Sequence, residues 1–267
     1  MQNGSGGEAR PTLVASAARA LGVRMWPTFV GAVPGSWVCV EDAVAAFDSG
    51  TDIARFNAVA APTAAAAPRA VARLLEALAA RTDWFSLHTP VPCSRALREM
   101  AHSLHLIEEQ EPLMLLEDSR HLVAAANTSD AQISRLRPDQ IERHVDVWAR
   151  GFGVPADALT PWLGSDLLSR PNVIAYQASL DGVDVATALG IVADGFVGVF
   201  NVACVESHRR RGYGAALTAK VVLDGLSSGA DTAVLTSSPS GDGVYRALGF
   251  REVARWAQWL PDDIDPD

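Results

Sequence analysis

One stretch of the sequence constrains the fold more than any other. An apolar run from Phe196 to Val205 is followed by Arg209-Arg210-Arg211-Gly212-Tyr213-Gly214-Ala215-Ala216-Leu217, which opens a segment with helical apolar spacing. That order predicts a strand, a glycine loop and a helix start. Such a turn aims several backbone N–H groups at one point, where the helix dipole adds partial positive charge. Gly212 and Gly214 let a ligand approach the backbone with no Cβ in the way. The three arginines surround the loop with fixed positive charge. The loop is built to hold a pyrophosphate; the plainer alternative is a helix start with solvated arginines.

The same residues carry a family resemblance. Arg209-x-x-Gly212-x-Gly214 after a strand resembles the acyl-CoA loop of the GCN5-related N-acetyltransferase superfamily. A second fragment, Val244-Tyr245-Arg246-Ala247-Leu248-Gly249-Phe250-Arg251-Glu252, is similar to the tyrosine helix and Leu-Gly-Phe turn near the end of those domains. The two stand in the family's order with a strand between them. The resemblance covers roughly the second half of the chain.

Length and composition set the frame. A chain of 267 residues exceeds the usual single domain, so two domains are expected. Apolar content of 49% and charged content of 20% describe a globular protein with ample core. A net charge of −9 argues against nucleic-acid binding through a broad basic face. Lys220 is the only lysine among many arginines and alanines, a bias of GC-rich bacterial coding sequence. Cys39, Cys93 and Cys204 show no metal-ligand spacing, and so sparse a set suits a reducing cytoplasm. No basic-then-apolar leader opens the sequence and no run is long enough to span a bilayer, so a soluble cytoplasmic protein is expected. Residues 1–8 are Gly- and Ser-rich and read as a mobile N-terminus.

Periodicity predicts helices over 12–21, 70–80 and 94–103, and strands over 37–40, 53–60, 84–88 and 113–116. Ser94 is the N-cap of the third helix, and residues 61–68 read as a loop. In the second half Pro138 opens a helix through Ala149, and 159–169 reads as another. Strands 173–180, 185–193 and 196–205 form a meander joined by Asp181-Gly182 and Asp194-Gly195 turns. The loop helix runs to about Leu226, followed by strand 232–236, helix 243–248 and strand 255–260. Helix, strand, helix, strand over 70–116 echoes the same order over 212–260, and aligning Leu106 with Phe250 places Ala101 opposite Tyr245. No Gly-x-Gly loop precedes the first-half helix. The expected fold is therefore a mixed α/β sheet of the GCN5-related N-acetyltransferase type in tandem. Residues 9–125 form a degenerate copy without an acyl-CoA site and 126–267 the catalytic domain; an unrelated first domain is the alternative.

The resemblance implies an acetyl-CoA-dependent N-acetyltransferase that moves the acyl group directly to a small-molecule amine in a ternary complex, with no metal. Residues Arg210 to Ala215, Tyr213 among them, would give N–H groups to the pyrophosphate, with Arg209 fixing the loop. Along Val202-Ala203-Cys204-Val205 the strand would splay, with Val202 N–H facing the acyl carbonyl and Cys204 N–H the pantetheine amide. Glu206 stands where relatives often have proline. Tyr245 would protonate or hydrogen-bond the leaving thiolate. Ser238 occupies the position where relatives often contact coenzyme A with asparagine. Phe152 and Trp162 would wall the acceptor pocket. Glu206, Asp194 and Asp184 are candidate bases, none singled out by spacing, and Asn201 could orient a water. His102 and His105 lack a third metal ligand. A non-catalytic acyl-CoA sensor and a first half that serves dimerisation are the other readings; neither nucleic acid nor membrane is an expected partner.

Overall fold

Backbone chemistry and apolar spacing together set where the elements begin and end. The computed structural model describes residues 6–63 and 66–262. The first half supplies helices α1 (Gly6–Arg19), α2 (Trp26–Val30), α3 (Pro68–Ala79) and α4 (Arg95–Ser103), and strands β1 (Trp37–Glu41), β2 (Val44–Asp48), β3 (Asn57–Ala60), β4 (Ser86–Val91) and β5 (Leu106–Leu116). Helix α5 (Leu122–Asn127) leads to the second half. There follow β6 (Gln132–Arg135), α6 (Ile141–Phe152), α7 (Thr160–Leu163), β7 (Val173–Leu180), β8 (Val183–Ala193), β9 (Phe196–Cys204), α8 (Tyr213–Ser227), β10 (Thr232–Thr236), α9 (Asp242–Ala247) and β11 (Phe250–Pro261). Ser94 caps α4, its side chain accepting from Leu97 N–H at 3.3 Å. Val71, Leu74, Leu75 and Leu78 put one buried stripe on α3. Burying each is worth about 1.5–3 kcal/mol before entropy is counted.

The eleven strands among the described residues join in one mixed sheet, in the order β1-β2-β3-β4-β11-β5-β10-β9-β8-β7-β6. The order interleaves the two halves. Strand β11 lies between β4 and β5 of the first half, and β5 lies between β11 and β10 of the second. These two strands pair antiparallel along their whole length, from Phe250↔Leu116 to Pro261↔Leu106, with one irregularity between Glu252 and Ala254. One face of the sheet carries α1, α2, α6 and α7 over a core that includes Phe29, Leu113, Trp148, Trp162, Phe200, Val234 and Trp256. On the other face α5, α8 and α9 cover Met114, Val197, Leu235 and Phe250, while α3 and α4 cover Val59, Leu87 and Trp259.

Several elements differ from their sequence expectations. The helix expected over 12–21 continues through a π-helical turn at Ala20–Met25 into α2. Gly6–Glu8 of the expected mobile segment begin α1, and residues 1–5 lie outside the described residues. Strand β2 lies where the sequence predicts no element; its turn, Asp42-Ala43 with φ 49° and 62°, lacks the glycine that marks such turns. Residues 53–60 divide into a 3-10 turn at Ala54–Phe56 and β3. The expected helix 159–169 is broken into α7 and two 3-10 turns by Pro161 and Gly164. Strand β5 starts seven residues before the expected 113, through Glu108 to Pro112, because β11 pairs with it there.

Candidate functional site

The loop and the helix behind it hold an open array of donors. Arg210 has φ 62° and Gly212 φ 85°, so the chain turns twice through left-handed backbone before α8 begins. Gly212 is the N-cap and offers no side chain to the first turn. The first amide of α8 to return a bond is that of Ala216, to the Gly212 carbonyl at 3.0 Å. Among the described residues none accepts from the N–H groups of Arg210 through Ala215. Free amides at a long helix start suit an anion. Arg210 and Arg211 are exposed, and no described carboxylate pairs with either. Arg209 plays another part: its guanidinium donates to Gly151 O at 2.8 Å and to Cys204 O at 3.3 Å, pinning the loop to α6 and to the end of β9. The Tyr213 side chain is buried beneath the loop. A Cβ on Gly214 would meet only Val202 Cγ1, at 3.5 Å, so protein packing alone does not demand glycine there.

Strand β9 leaves its neighbour partway along. It pairs with β10 from Phe196↔Thr232 to Gly198↔Val234 and no further, while β10 goes on to pair with β5 through Thr236↔Leu113. A slot therefore opens between Val199–Cys204 and the end of β10. Its cause lies in β9 itself: Asn201 has φ 49°, and the register with β8 shifts between Thr187 and Leu189, the mark of a bulge. Val205 N–H donates to Val185 O at 2.9 Å, so by the alternation of an antiparallel ladder Cys204 turns its N–H away from β8 toward the slot. Ala203 and the Cys204 amide pack on Gly151 of α6, where a Cβ would lie 2.8 Å from Ala203 Cβ. Burial raises the Cys204 thiol above its usual range despite Arg209 and Arg211, so this cysteine is not an activated nucleophile. The matching seam in the first half is closed: β3 pairs with β4 through Ala60↔His88, and Ala61 N–H continues to His88 O at 2.8 Å.

Helix α9 follows the end of β10 and packs Tyr245 against the core on the α8 side of the sheet. Its ring lies edge-on to Phe250 at 6.0 Å, and burial, aided by the charge of Glu111, pushes its pKa up to about 12. Ser238 starts the turn into α9, its carbonyl and Oγ accepting from Gly241 N–H at 3.1 and 3.3 Å. It is exposed and close to Tyr245 along the chain turn.

The other expected site residues scatter. Trp162 is fully buried and stacks on Phe29 at 4.2 Å, so it belongs to the core and does not wall a pocket; Phe29 of α2 fills that space. Phe152 is exposed. Asp184 is bound by Arg143 and Ser179, and Asp194 lies at the far end of β9 beside Arg24. Glu206 is exposed on the loop. Asn201 Nδ2 is buried with no partner among the described residues. A groove of about 400 Å³ lined by Arg24, Thr28, Arg170 and Asp194 also lies away from the slot. Among the described residues no group of three or more His, Cys, Asp or Glu could hold a metal, and no helix is long and apolar enough to cross a membrane.

Two residues escaped the sequence reading. Gly151 has a signal in hindsight, a glycine in the last turn of α6 that is not its C-cap; the cap is Gly153 with φ 68°. Glu111 has none, because the expected strand 113–116 stops short of it and nothing local extends that strand or sets it beside the slot.

The sequence matches no family model and no curated protein. Solved structures do resemble it. A GCN5-related N-acetyltransferase from Kribbella flavida superposes with a TM-score of 0.66 at 21% identity, covering 94% of this chain and 96% of that one. A GCN5-related N-acetyltransferase-like protein from Streptococcus suis 89/1591 gives 0.60 at 13% identity, over 92% and 99%. A functionally unknown conserved protein from Staphylococcus epidermidis ATCC 12228 gives 0.60 at 15%, over 86% and 95%. The chain has the fold of the GCN5-related N-acetyltransferases, over nearly its whole length.

Proposed function

We propose that the chain is an acetyl-CoA-dependent N-acetyltransferase that moves the acetyl group directly to a primary amine. The observation that carries this reading is the open seam between β9 and β10, which ends beside the free amides of the α8 start. The pyrophosphate of coenzyme A would lie on the N–H groups of Arg210 to Ala215, between Arg210 and Arg211. Pantetheine would then enter the slot as a short extra strand against Val202 to Cys204, and the thioester carbonyl would meet N–H donors of the bulge.

In the transfer the amine nitrogen forms a bond to the thioester carbon and the C–S bond breaks. An ammonium loses two protons on becoming an amide; one ends on sulfur and the other leaves through a base. A phenol near 12 would give a proton to a thiolate of pKa ~8.5 only uphill, by about 3.5 units. Tyr245 therefore acts mainly as a hydrogen-bond donor that steadies the leaving sulfur.

The interleaved sheet supports reading residues 9–125 and 126–267 as two copies that exchange their last strands, β5 and β11. The closed β3–β4 seam and the missing glycine loop explain why the first copy would hold no coenzyme. Half-buried free Cys39, Cys93 and Cys204 suit a cytoplasmic home.

Calorimetry with acetyl-CoA, followed by coenzyme A release with a panel of primary amines, tests the reading. Tyr245→Phe should bind acetyl-CoA as the native protein does and lower kcat about tenfold or more. No heat with acetyl-CoA would remove the reading; tight binding without turnover of any amine would turn it toward a sensor.

A further inference from the structure

A carboxylate from the first half stands at the mouth of the second half's slot. Strand β10 ends on β5: Thr236 is opposite Leu113, and Ser237 N–H donates to Pro112 O at 3.0 Å. Glu111 is the next residue along. Side chains alternate along a strand, and Leu113 and Leu115 face the α2 and α6 side while Met114 faces α8. Glu111 therefore projects on the α2 and α6 side, level with Trp256 across the β5–β11 pair. Tyr245 lies on the opposite face, yet close enough for its ionisation to feel the Glu111 charge. The end of β10, which borders the slot, thus has a phenol on the α8 face of the sheet and a carboxylate on the other.

The surroundings of Glu111 leave its charge uncompensated. Across the sheet His88, Gln258 and Glu109 form one row, His88 opposite Gln258 and Gln258 opposite Glu109. Arg55, from the 3-10 turn before β3, spans this row, donating to Gln258 Oε1 and pairing with Glu109. Glu109 is neutralised there. Glu111 receives only the neutral Gln258 amide, Nε2 to Oε2 at 3.3 Å, and no described cation pairs with it. His88 is fully buried, and burial followed by the Arg55 charge holds it at about 3, so it adds no positive charge at neutral pH. The groups facing Glu111 are thus Arg55 and Glu109, which cancel, neutral His88 and Tyr245, and the Gln258 amide.

We propose that Glu111 binds the ammonium of the acceptor and takes the first of its two protons, so that the active centre is incomplete without the first half of the chain. This rests on the acetyltransferase reading above. The coenzyme approaches along the α8 face and the amine from the face of Glu111. The acceptor class that follows is a cationic primary amine, since a single unpaired carboxylate favours one ammonium over a neutral or acidic substrate. In the step itself one ammonium proton passes to the Glu111 carboxylate, the freed nitrogen lone pair attacks the thioester carbon, the C–S bond breaks as the second nitrogen proton passes to sulfur, and the proton on Glu111 leaves to solvent after the coenzyme thiol departs.

The test compares the native chain with Glu111→Gln and Glu111→Asp, using acetyl-CoA with putrescine, phenethylamine, lysine methyl ester and kanamycin, from pH 6 to pH 10. Acetyl-CoA affinity by calorimetry should be equal in all three. With the best amine Glu111→Gln should lose about 100-fold or more in kcat/KM at pH 7. The loss should shrink as the pH approaches the amine's own pKa of ~10.4, where free amine no longer needs a base. Glu111→Asp should regain part of the rate. A Glu111→Gln rate equal to the native one, or a deficit of the same size at every pH, overturns the proposal and leaves the acetyltransferase reading standing. A native chain that binds acetyl-CoA but turns over none of the amines overturns both.

Discussion

Gly212 and Gly214 sit two residues apart and should fail for different reasons when replaced by alanine. Gly212 holds φ 85°, where a Cβ costs about 1–2 kcal/mol. Gly214 is helical, and its added Cβ would touch Val202 Cγ1 at an ordinary 3.5 Å. Removing a helical glycine returns up to about 0.5–1 kcal/mol, less so near the helix start. In a chain of this size that is roughly 1–3 °C in Tm. Gly214→Ala should therefore be as stable as the native protein or slightly more so, while Gly212→Ala melts several degrees lower. Binding should separate them further. A Cβ at Gly214 stands over the free first-turn amides, and losing one hydrogen bond to a charged phosphate costs about 1.5–3 kcal/mol. That corresponds to a roughly tenfold to hundredfold weaker Kd for coenzyme A. Thermal unfolding and calorimetry on the same samples give both numbers. A Gly214→Ala protein that melts higher and binds coenzyme A as tightly as the native chain would refute the placement of the pyrophosphate.

Further outcomes follow from other parts of the fold. His88 and His144 are fully buried, and burial holds them at about 3 and about 4. Their pKa values are depressed, so the stability they contribute is present above 6.5 and lost as the pH falls toward 4, by about 1.4 kcal/mol per pH unit per histidine. Urea denaturation at pH 7, 6 and 5 should show this slope, and His144→Gln should reduce it by about half; a flat profile refutes it. Ala43 has φ 62° in the β1–β2 turn, so Ala43→Gly should raise stability by about 0.5–1 kcal/mol, read as a urea midpoint shift. Residues 126–267 produced alone would leave the β5 flanks of β10 and β11 unpaired, and should aggregate, while co-production with residues 1–125 restores a soluble complex on gel filtration. A soluble, folded fragment would contradict the interleaved sheet.

What the sequence disclosed tracks how local the determining physics is. The meander β7–β8–β9 was legible because Asp181-Gly182 and Asp194-Gly195 are turn pairs whose left-handed backbone the structure shows. The loop before α8 was legible because Gly212 and the flanking arginines act within a few residues. Strand β2 was not, since its turn uses Ala43 in a conformation that alanine seldom adopts. Strand β5 was read only at its apolar end. Glu108 to Pro112 are strand because β11 lines up beside them, a contact between residues far apart in the chain. Glu111 was invisible for the same reason. Trp162 was misplaced because the residue that covers it, Phe29, arrives from the other half.

The position of β11 also governs how the protein can be made. It is made after every other described strand, yet it belongs in the middle of the sheet, between two strands finished long before. The first half must therefore wait with a gap beside β4, and neither half can settle fully while the other is still being synthesised. A nascent chain of this kind depends on β11 to close the sheet from within, so loss of that strand should be felt in both halves at once.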